Sequence, residues 1–194
     1  MSIKHKNGVW KLYLYLTSFC NHPEILKIYE ELSDKHELIP ILSENAAQYD
    51  TRFGTAEHLI ERVESLAGRR AVRTIVEAEP LGPSNAIDVL IIAPCTGNTL
   101  AKLAAGVTDG PVTMAAKSHL RNGKPIVIAL ATNDGLSASA GNIAALLNRK
   151  HYYFVPFGQD NASAKPTSLI ADFAQIEATV EAALEGRQIQ PILI

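Results

Sequence analysis

The sequence predicts a single α/β domain, residues 1–194, with a doubly wound, mostly parallel sheet and helices on both faces. Apolar runs alternate with helical periods along the chain, which is typical of a parallel sheet covered on both sides. The segments that follow the runs are small, hydroxylic or amide-bearing, whereas those before them are mostly charged turns. Because ligands bind outside the carboxyl ends of such strands, this asymmetry predicts a small-molecule site at one end of the sheet.

Five apolar runs predict the strands, with the first and third as neighbours in the order 2-1-3-4-5. The third run is apolar almost throughout, as expected of a strand that is covered on both faces. In chain order the runs are residues 10–16, 38–42, 87–93, 125–130 and 152–155.

Helical spacing separates these runs. After the first run, apolar residues fall at i, i+3, i+4 and i+7, one face of an amphipathic helix. The same spacing recurs near residues 56–66, 99–104 and 140–147, and it predicts a last helix from Leu169 to Leu184. A helix between Pro111 and Arg121 is predicted to end at Asn122-Gly123, since glycine accepts a left-handed backbone.

Composition excludes several functions. The net charge of −2 offers no basic excess for a nucleic-acid backbone. No segment approaches the roughly 20 apolar residues of a membrane helix. Cys20 and Cys95 form neither a disulfide framework nor a metal-binding pair, so we expect a reduced, cytoplasmic protein. No metal site is predicted, because metal-ligand spacing is missing among His5, His22, His36, His58, His119 and His151.

The strongest local signal is the segment from the third strand into a polar loop and a helix, residues 91–103. We predict Asn98 or Thr99 as the N-cap of that helix. Free N–H groups at a helix start, beside the hydroxyls of Thr96 and Thr99, favour an anion. A plain capped helix is the alternative. Glycine-rich dinucleotide and phosphate-loop motifs are absent from the sequence.

Two thiols and several cations lie near the predicted strand ends. Cys20 and Cys95 each follow a strand and could share one site, although a free cysteine is more often a small buried apolar residue. Arg52 stands in a loop beside an aromatic residue and a glycine, which favours an anion clamp. Lys102, Lys117, Arg121 and Lys165 are the other cations near this end.

The chain resembles the flavoprotein family that contains the FMN-dependent cysteine decarboxylases. Residues 93–104 match that family's Ala-Pro-x-x-x-Asn-Thr motif with its following Ala-Lys-x-Ala. A narrower resemblance, to the flavoprotein-like component of a two-component oxidoreductase of sporulating bacteria, runs from about Thr51 to the end. The matching segments are residues 51–54, 78–83, 108–117, 132–134, 156–160 and 190–193.

The resemblance implies a function for these loops. It implies an FMN site formed by residues after the strands, and an A subunit that supplies NADP. The substrate would be a dihydro heterocyclic dicarboxylate, bound by Arg52 and Lys102, in the mother-cell cytoplasm. The implied cofactor residues are Thr17, Ser18, Pro94, Thr96, Asn98, Thr99 and Asn133.

Two departures from the family pattern bear on these expectations. The first loop, residues 16–20, lacks the family's glycine, and a side chain there opposes close approach of a phosphate. Thr132-Asn133-Asp134-Gly135 replaces the decarboxylases' Pro-x-Met-Asn clamp, which disfavours peptidyl-cysteine decarboxylation. The alternatives are an FMN-dependent decarboxylase or prenyltransferase, and a non-catalytic subunit that stabilises its partner.

We also expect a homo-oligomer, as the resemblance implies flavin sites at subunit contacts. The segment of residues 189–194 is apolar and is awkward on a free monomer surface. Packing of this segment on its own domain is the alternative.

Overall fold

The computed structural model describes residues 10–16, 23–51, 54–84 and 87–194. Five strands in these ranges form a parallel sheet in the order β2-β1-β3-β4-β5, as predicted. Their bounds are β1 Lys11–Leu16, β2 Glu37–Leu42, β3 Val89–Cys95, β4 Ile126–Thr132 and β5 Tyr152–Phe154.

Helices cover both faces of this sheet. Their bounds are α1 Pro23–Ser33, α2 Glu44–Gln48, α3 Ala56–Ala67, α4 Ile75–Ala78, α5 Leu81–Ser84, α6 Gly97–Ala105, α7 Pro111–Arg121, α8 Ala140–Leu147 and α9 Ile176–Leu184. Local chemistry fixes several ends: the Thr55 hydroxyl accepts a hydrogen bond from the His58 amide, and Gly68 takes the left-handed backbone after α3. Gly123, with a φ of 66°, follows α7 as the sequence predicts.

The core lies around the two central strands. All seven residues of β3 are buried, and so are the first five of β4. Full burial of an aliphatic side chain contributes about 1.5–3 kcal/mol, so these strands supply much of the folding free energy. The large side chains of Tyr29, Phe154 and Phe173 complete the core.

The last third of the chain differs from the prediction. A hairpin, β6 Phe157–Asn161 and β7 Lys165–Ala171, stands where a loop and the start of a helix were predicted. The predicted helix from Leu169 was wrong in its first part, because Leu169 pairs with Thr132 in an antiparallel contact of β7 with β4. A 3-10 turn, Phe173–Gln175, precedes α9. Leu169 and Phe173 are spaced as on one face of a helix, but the backbone N–H and C=O groups near Leu169 are paired across strands instead.

The hairpin extends the sheet beyond its parallel part. Ala131 and Thr132, the last residues of β4, pair with Ile170 and Leu169. Since β7 runs antiparallel to β4, its residues before Leu169 project past the end of β4, by about 13 Å at Lys165.

The segment of residues 189–194 packs along β6 within the same chain. The Phe157 amide donates to the Ile192 carbonyl at 2.9 Å, and the Ile194 amide donates to the Phe157 carbonyl at 3.2 Å. The alternative, that residues 189–194 pack on their own domain, is therefore confirmed for the backbone of this segment. The side chains of Leu193 and Ile194 remain 68% and 60% exposed.

Across the ranges that the structure describes, no helix combines the length and apolar character needed to cross a bilayer.

Candidate functional site

The candidate site lies at the carboxyl ends of the parallel strands, where Leu42, Cys95 and Thr132 end β2, β3 and β4. Parallel register brings the loops after these strands to the same end of the sheet. Several residues predicted for this site, namely Thr17, Ser18, Cys20 and Arg52, lie outside the described residues.

The start of α6 follows β3 directly. Thr96 is the N-cap, so the prediction of Asn98 or Thr99 as the cap was wrong. The Thr96 side chain makes no capping hydrogen bond, and its hydroxyl lies 3.5 Å from that of Thr99. Backbone N–H groups in the first turn of a helix have no acceptor within the helix. The first turn of α6 therefore presents amide donors at the carboxyl end of the sheet.

Gly97, the first residue of α6, packs against a cluster of three oxygen atoms. A Cβ on Gly97 would lie 2.7 Å from Thr132 Oγ1, 2.8 Å from Asp134 Oδ1 and 2.8 Å from Ser139 Oγ. A side chain at this position would collide with all three atoms, so only glycine lets α6 begin so close to the loop after β4. We call Thr132, Asp134 and Ser139 the oxygen cluster.

Asp134 is held inside the oxygen cluster by hydroxyl donors. Thr132 Oγ1 donates to Asp134 Oδ1 at 2.5 Å. The hydrogen bond from Thr132 is the main cause that lowers the pKa of the Asp134 carboxyl group; burial opposes it, and the hydrogen bond from Ser139 adds a smaller lowering. Ser139 itself is only 2% exposed. The start of α6 therefore faces an ionised carboxylate at neutral pH.

Asn133 is exposed and is tied to the hairpin. The Thr167 hydroxyl donates to the Asn133 carbonyl at 2.7 Å, and Ser168 Oγ lies 3.4 Å from Asn133 Oδ1. The buried Ser168 hydroxyl also lies 3.5 Å from Asp160 Oδ2, which pairs with Lys165 Nζ at 2.6 Å. The hairpin therefore forms one side of the loop after β4.

Lys102 lies in the second turn of α6, where its Nζ pairs with Asp109 Oδ2 at 2.8 Å. A substrate carboxylate could bind Lys102 only by sharing or replacing this partner. Asn98 and Thr99 both lie in the first turn of α6, where Asn98 is exposed and Thr99 is buried. Pro94 is buried within β3.

Cys95 is fully buried at the end of β3, beside Leu130 in the register of the sheet. Burial raises the pKa of its thiol far above the ordinary range. The thiol is therefore protonated at neutral pH and packs as a small apolar side chain. Of the two interpretations of this cysteine, the structure favours a role in the core.

Comparison with known proteins shows what this arrangement is similar to. A family model described as "Flavoprotein" matches residues 2–181. The chain belongs to the flavoprotein family. A relative at 40% identity is the B subunit of dipicolinate synthase from Bacillus subtilis (strain 168), over 91% of this chain and 89% of that protein.

Two solved structures share the fold of this flavoprotein. The crystal structure of the B subunit of dipicolinate synthase from Bacillus halodurans matches with a TM-score of 0.87 and 39% identity, over 97% of this chain and 98% of that one. The FMN-dependent cysteine decarboxylase SpaF shares the fold, with a TM-score of 0.63 and 21% identity over 93% of this chain and 98% of that one.

Sequence reasoning missed the contact between Gly97 and the oxygen cluster. The motif around Gly97 and the loop at Thr132 each carry a local signal, but no spacing rule connects segments that meet only across two strands. One signal pointed to close packing: Gly97 occupies the first turn of a helix, where most other residues are compatible with the backbone.

Proposed function

We propose that this flavoprotein is the B subunit of a dipicolinate synthase and that it acts with an A subunit to oxidise dihydrodipicolinate to dipicolinate. The observation that carries the proposal is the 40% identity to such a subunit over 91% of the chain. The agreement in fold along nearly the whole of a second one supports it. We propose the mother cell of a sporulating bacterium as its location.

The proposed reaction removes one hydride and one proton from the dihydropyridine ring, which becomes aromatic. In this proposal NADP, held by the A subunit, accepts the hydride, and the proton passes to water. The task left to the B subunit is to bind a dianionic ring and hold it without bulk water. We propose Arg52 and Lys102 as the cations for its two carboxylates.

We further propose that the candidate site holds FMN through Thr17, Ser18, Pro94, Thr96, Asn98, Thr99 and Asn133. The backbone amides at the start of α6 can donate hydrogen bonds to the carbonyl oxygens of the flavin ring. The exposed side chains of Asn98 and Asn133 can form hydrogen bonds with the edge of that ring. Bound FMN would supply a flat ring next to the substrate, with NADP remaining the final acceptor of the hydride. The Asp134 carboxylate beside Gly97 opposes a phosphate group at this end.

The proposal includes a homo-oligomer, as flavin sites at subunit contacts need a second copy of the chain. The exposed side chains of Leu193 and Ile194, carried on the edge of the sheet, support such a contact.

The decisive experiment mixes purified A and B subunits with dihydrodipicolinate and NADP, with and without FMN, and follows NADPH and dipicolinate. We expect the pair to form dipicolinate faster than the A subunit alone. Equal rates with and without the B subunit would reject the catalytic proposal. Stimulation without any bound flavin would favour the non-catalytic, partner-stabilising alternative. A flavin-dependent release of CO₂ from a thiol-bearing substrate would favour the decarboxylase alternative.

A further inference from the structure

Helix α8 and the residue after it contact α6 at both of its ends. At the start, the buried N-cap Ser139 places its Oγ 2.8 Å from the Cβ position of Gly97, the first residue of α6. At the other end, two guanidinium nitrogens of Arg149 donate to the carbonyls of Leu103 and Ala104, at 3.2 Å and 2.6 Å. The two helices therefore lie side by side in the same direction and are joined at each end.

The contact made by Arg149 is directional and anchored on both sides. The last carbonyls of a helix lack amide partners within the helix, and a cation beside them interacts favourably with the helix dipole. The planar guanidinium of Arg149 reaches two of these carbonyls at once. Its own backbone amide donates to the Leu146 carbonyl, in the last turn of α8, at 3.1 Å. Arg149 therefore ties the last turn of α6 to the last turn of α8.

Apolar packing joins α6 and α8 between these two ends. The side chains that they bury are mostly aliphatic, namely Leu100 and Leu103 from α6 and Ile143 and Leu146 from α8. Apolar burial is non-directional, so it holds the two helices together more than it fixes the position of α6 along its axis. Since α6 has nine residues and is about 13 Å long, it moves as one rigid element. A shift of its last turn is therefore passed on to its first turn.

We infer that Arg149 is a positioning residue for the candidate site, from the opposite end of α6. By holding the last turn of the helix, it fixes where Thr96 and Asn98 stand relative to the loop after β4. Gly97 sets how closely α6 can approach that loop, and Arg149 keeps the helix at this distance. The inference rests on the proposed function for the location of the site, and it assigns Arg149 no contact with a ligand.

The test replaces Arg149 in the full chain. Arg149→Met keeps an unbranched stem but removes every donor, whereas Arg149→Lys keeps the charge and loses the planar fork. NMR follows the backbone amide signals of Gly97 and Asn98, and quenching of flavin fluorescence measures the affinity for FMN. We expect the amide signals to move in Arg149→Met and the affinity for FMN to fall by about tenfold, because a displaced helix misplaces its contact groups. Arg149→Lys should give intermediate values.

Two controls separate positioning from a general loss of stability and from a loss of charge. Val63→Ala removes part of a buried side chain in α3, which packs on α1 and β2, so it should lower the melting temperature without affecting the signals or the affinity. Arg187→Met removes an exposed cation whose side chain bonds Glu185, and it should leave both measurements unchanged.

Each outcome decides the inference. Amide signals that move no more in Arg149→Met than in Val63→Ala would overturn it, and so would moved signals with an unchanged affinity for FMN. If Arg149→Met does not fold, as judged by its thermal melt, Arg149→Gln replaces it under the same criteria. A parent that binds no FMN would count against the proposed flavin, and the amide signals alone would then decide the role of Arg149. The two-subunit assay is a separate result, because this experiment needs neither the A subunit nor dihydrodipicolinate.

Discussion

The Asp134 carboxylate oxygen Oδ1 lies 2.8 Å from the position that a Cβ atom would take on Gly97. Thr132 Oγ1 and Ser139 Oγ lie equally close to that position. This contact joins the start of α6 to the loop after β4, and it places an ionised group beside the amide donors of the candidate site.

Gly97→Ala is expected to lower the free energy of unfolding by about 1–3 kcal/mol, because the added methyl group overlaps three oxygen atoms in a tightly packed region. Urea denaturation followed by circular dichroism measures the change. Gly141→Ala is the matched control: it lies in α8 with no atom within 4 Å of its Cβ position, so we expect it to be neutral or slightly stabilising. Equal effects of the two substitutions would contradict this packing argument.

The buried His119 predicts a loss of stability in mild acid. Burial, with the nearby Lys124 charge, lowers the pKa of its imidazole to about 4, while its Nε2 bonds the Pro125 carbonyl at 3.0 Å. The unfolded chain binds a proton near pH 6.5, so the stabilisation is fully present above that pH and is lost as pH falls from about 6.5 towards 4. The shift corresponds to roughly 3 kcal/mol.

Urea denaturation at a series of pH values tests this linkage. In His119→Gln the slope between pH 6.5 and pH 4 should flatten, whereas in the control His58→Gln, on the exposed side of α3, it should stay as in the parent. A parent-like slope in His119→Gln would assign the pH dependence to other groups.

Cys95 should be chemically inert in the folded protein. Its thiol is buried and protonated, so a thiol reagent has neither access to it nor a thiolate to attack. In a Cys20→Ser background, we expect no reaction at pH 8 in buffer and full reaction in denaturant. Rapid labelling of Cys95 in the folded state would contradict its assignment as a core residue.

Arg52→Lys should weaken the binding of pyridine-2,6-dicarboxylate, if the proposed role of Arg52 is correct. Lysine keeps the charge but loses the planar fork that binds a carboxylate through two N–H groups. We expect a loss of about ten- to a hundredfold in affinity by calorimetry or in rate in the two-subunit assay. Arg62→Lys, an exposed partner of Glu30, is the control. A change of less than about twofold rules the role out.

Light scattering at micromolar concentration should give a mass above that of one chain. The apolar side chains of Leu193 and Ile194 lie exposed at the edge of the sheet beyond β6. Leu193→Ser with Ile194→Ser should reduce the mass if these side chains form the contact, and Val76→Ser, which changes an equally exposed apolar residue in α4, should not. A parent mass equal to one chain would remove homo-oligomerisation from the proposal.

Much of the parallel sheet was predictable from local pattern. The run that became β3 is apolar almost throughout because both faces of that strand are covered. The spacing of Ile25, Tyr29 and Leu32 reflects one buried face of α1. These signals depend on burial within one element, so the sequence carries them directly. They also located the candidate site at the strand ends, where Thr96 and Asn133 lie.

The hairpin and the oxygen cluster depended on contacts between distant segments. Leu169 fits a helical period with Phe173, and only its pairing with Thr132 makes it part of a strand. The sequence around Asp134 does not indicate that its carboxylate lies against the start of α6, because this contact joins two segments that are distant in the chain. The sequence by itself predicted the parallel part of the sheet, its strand order and the end at which we place the candidate site. The tertiary structure decided which charges face the start of α6, since electrostatic effects depend on distances that no local pattern encodes.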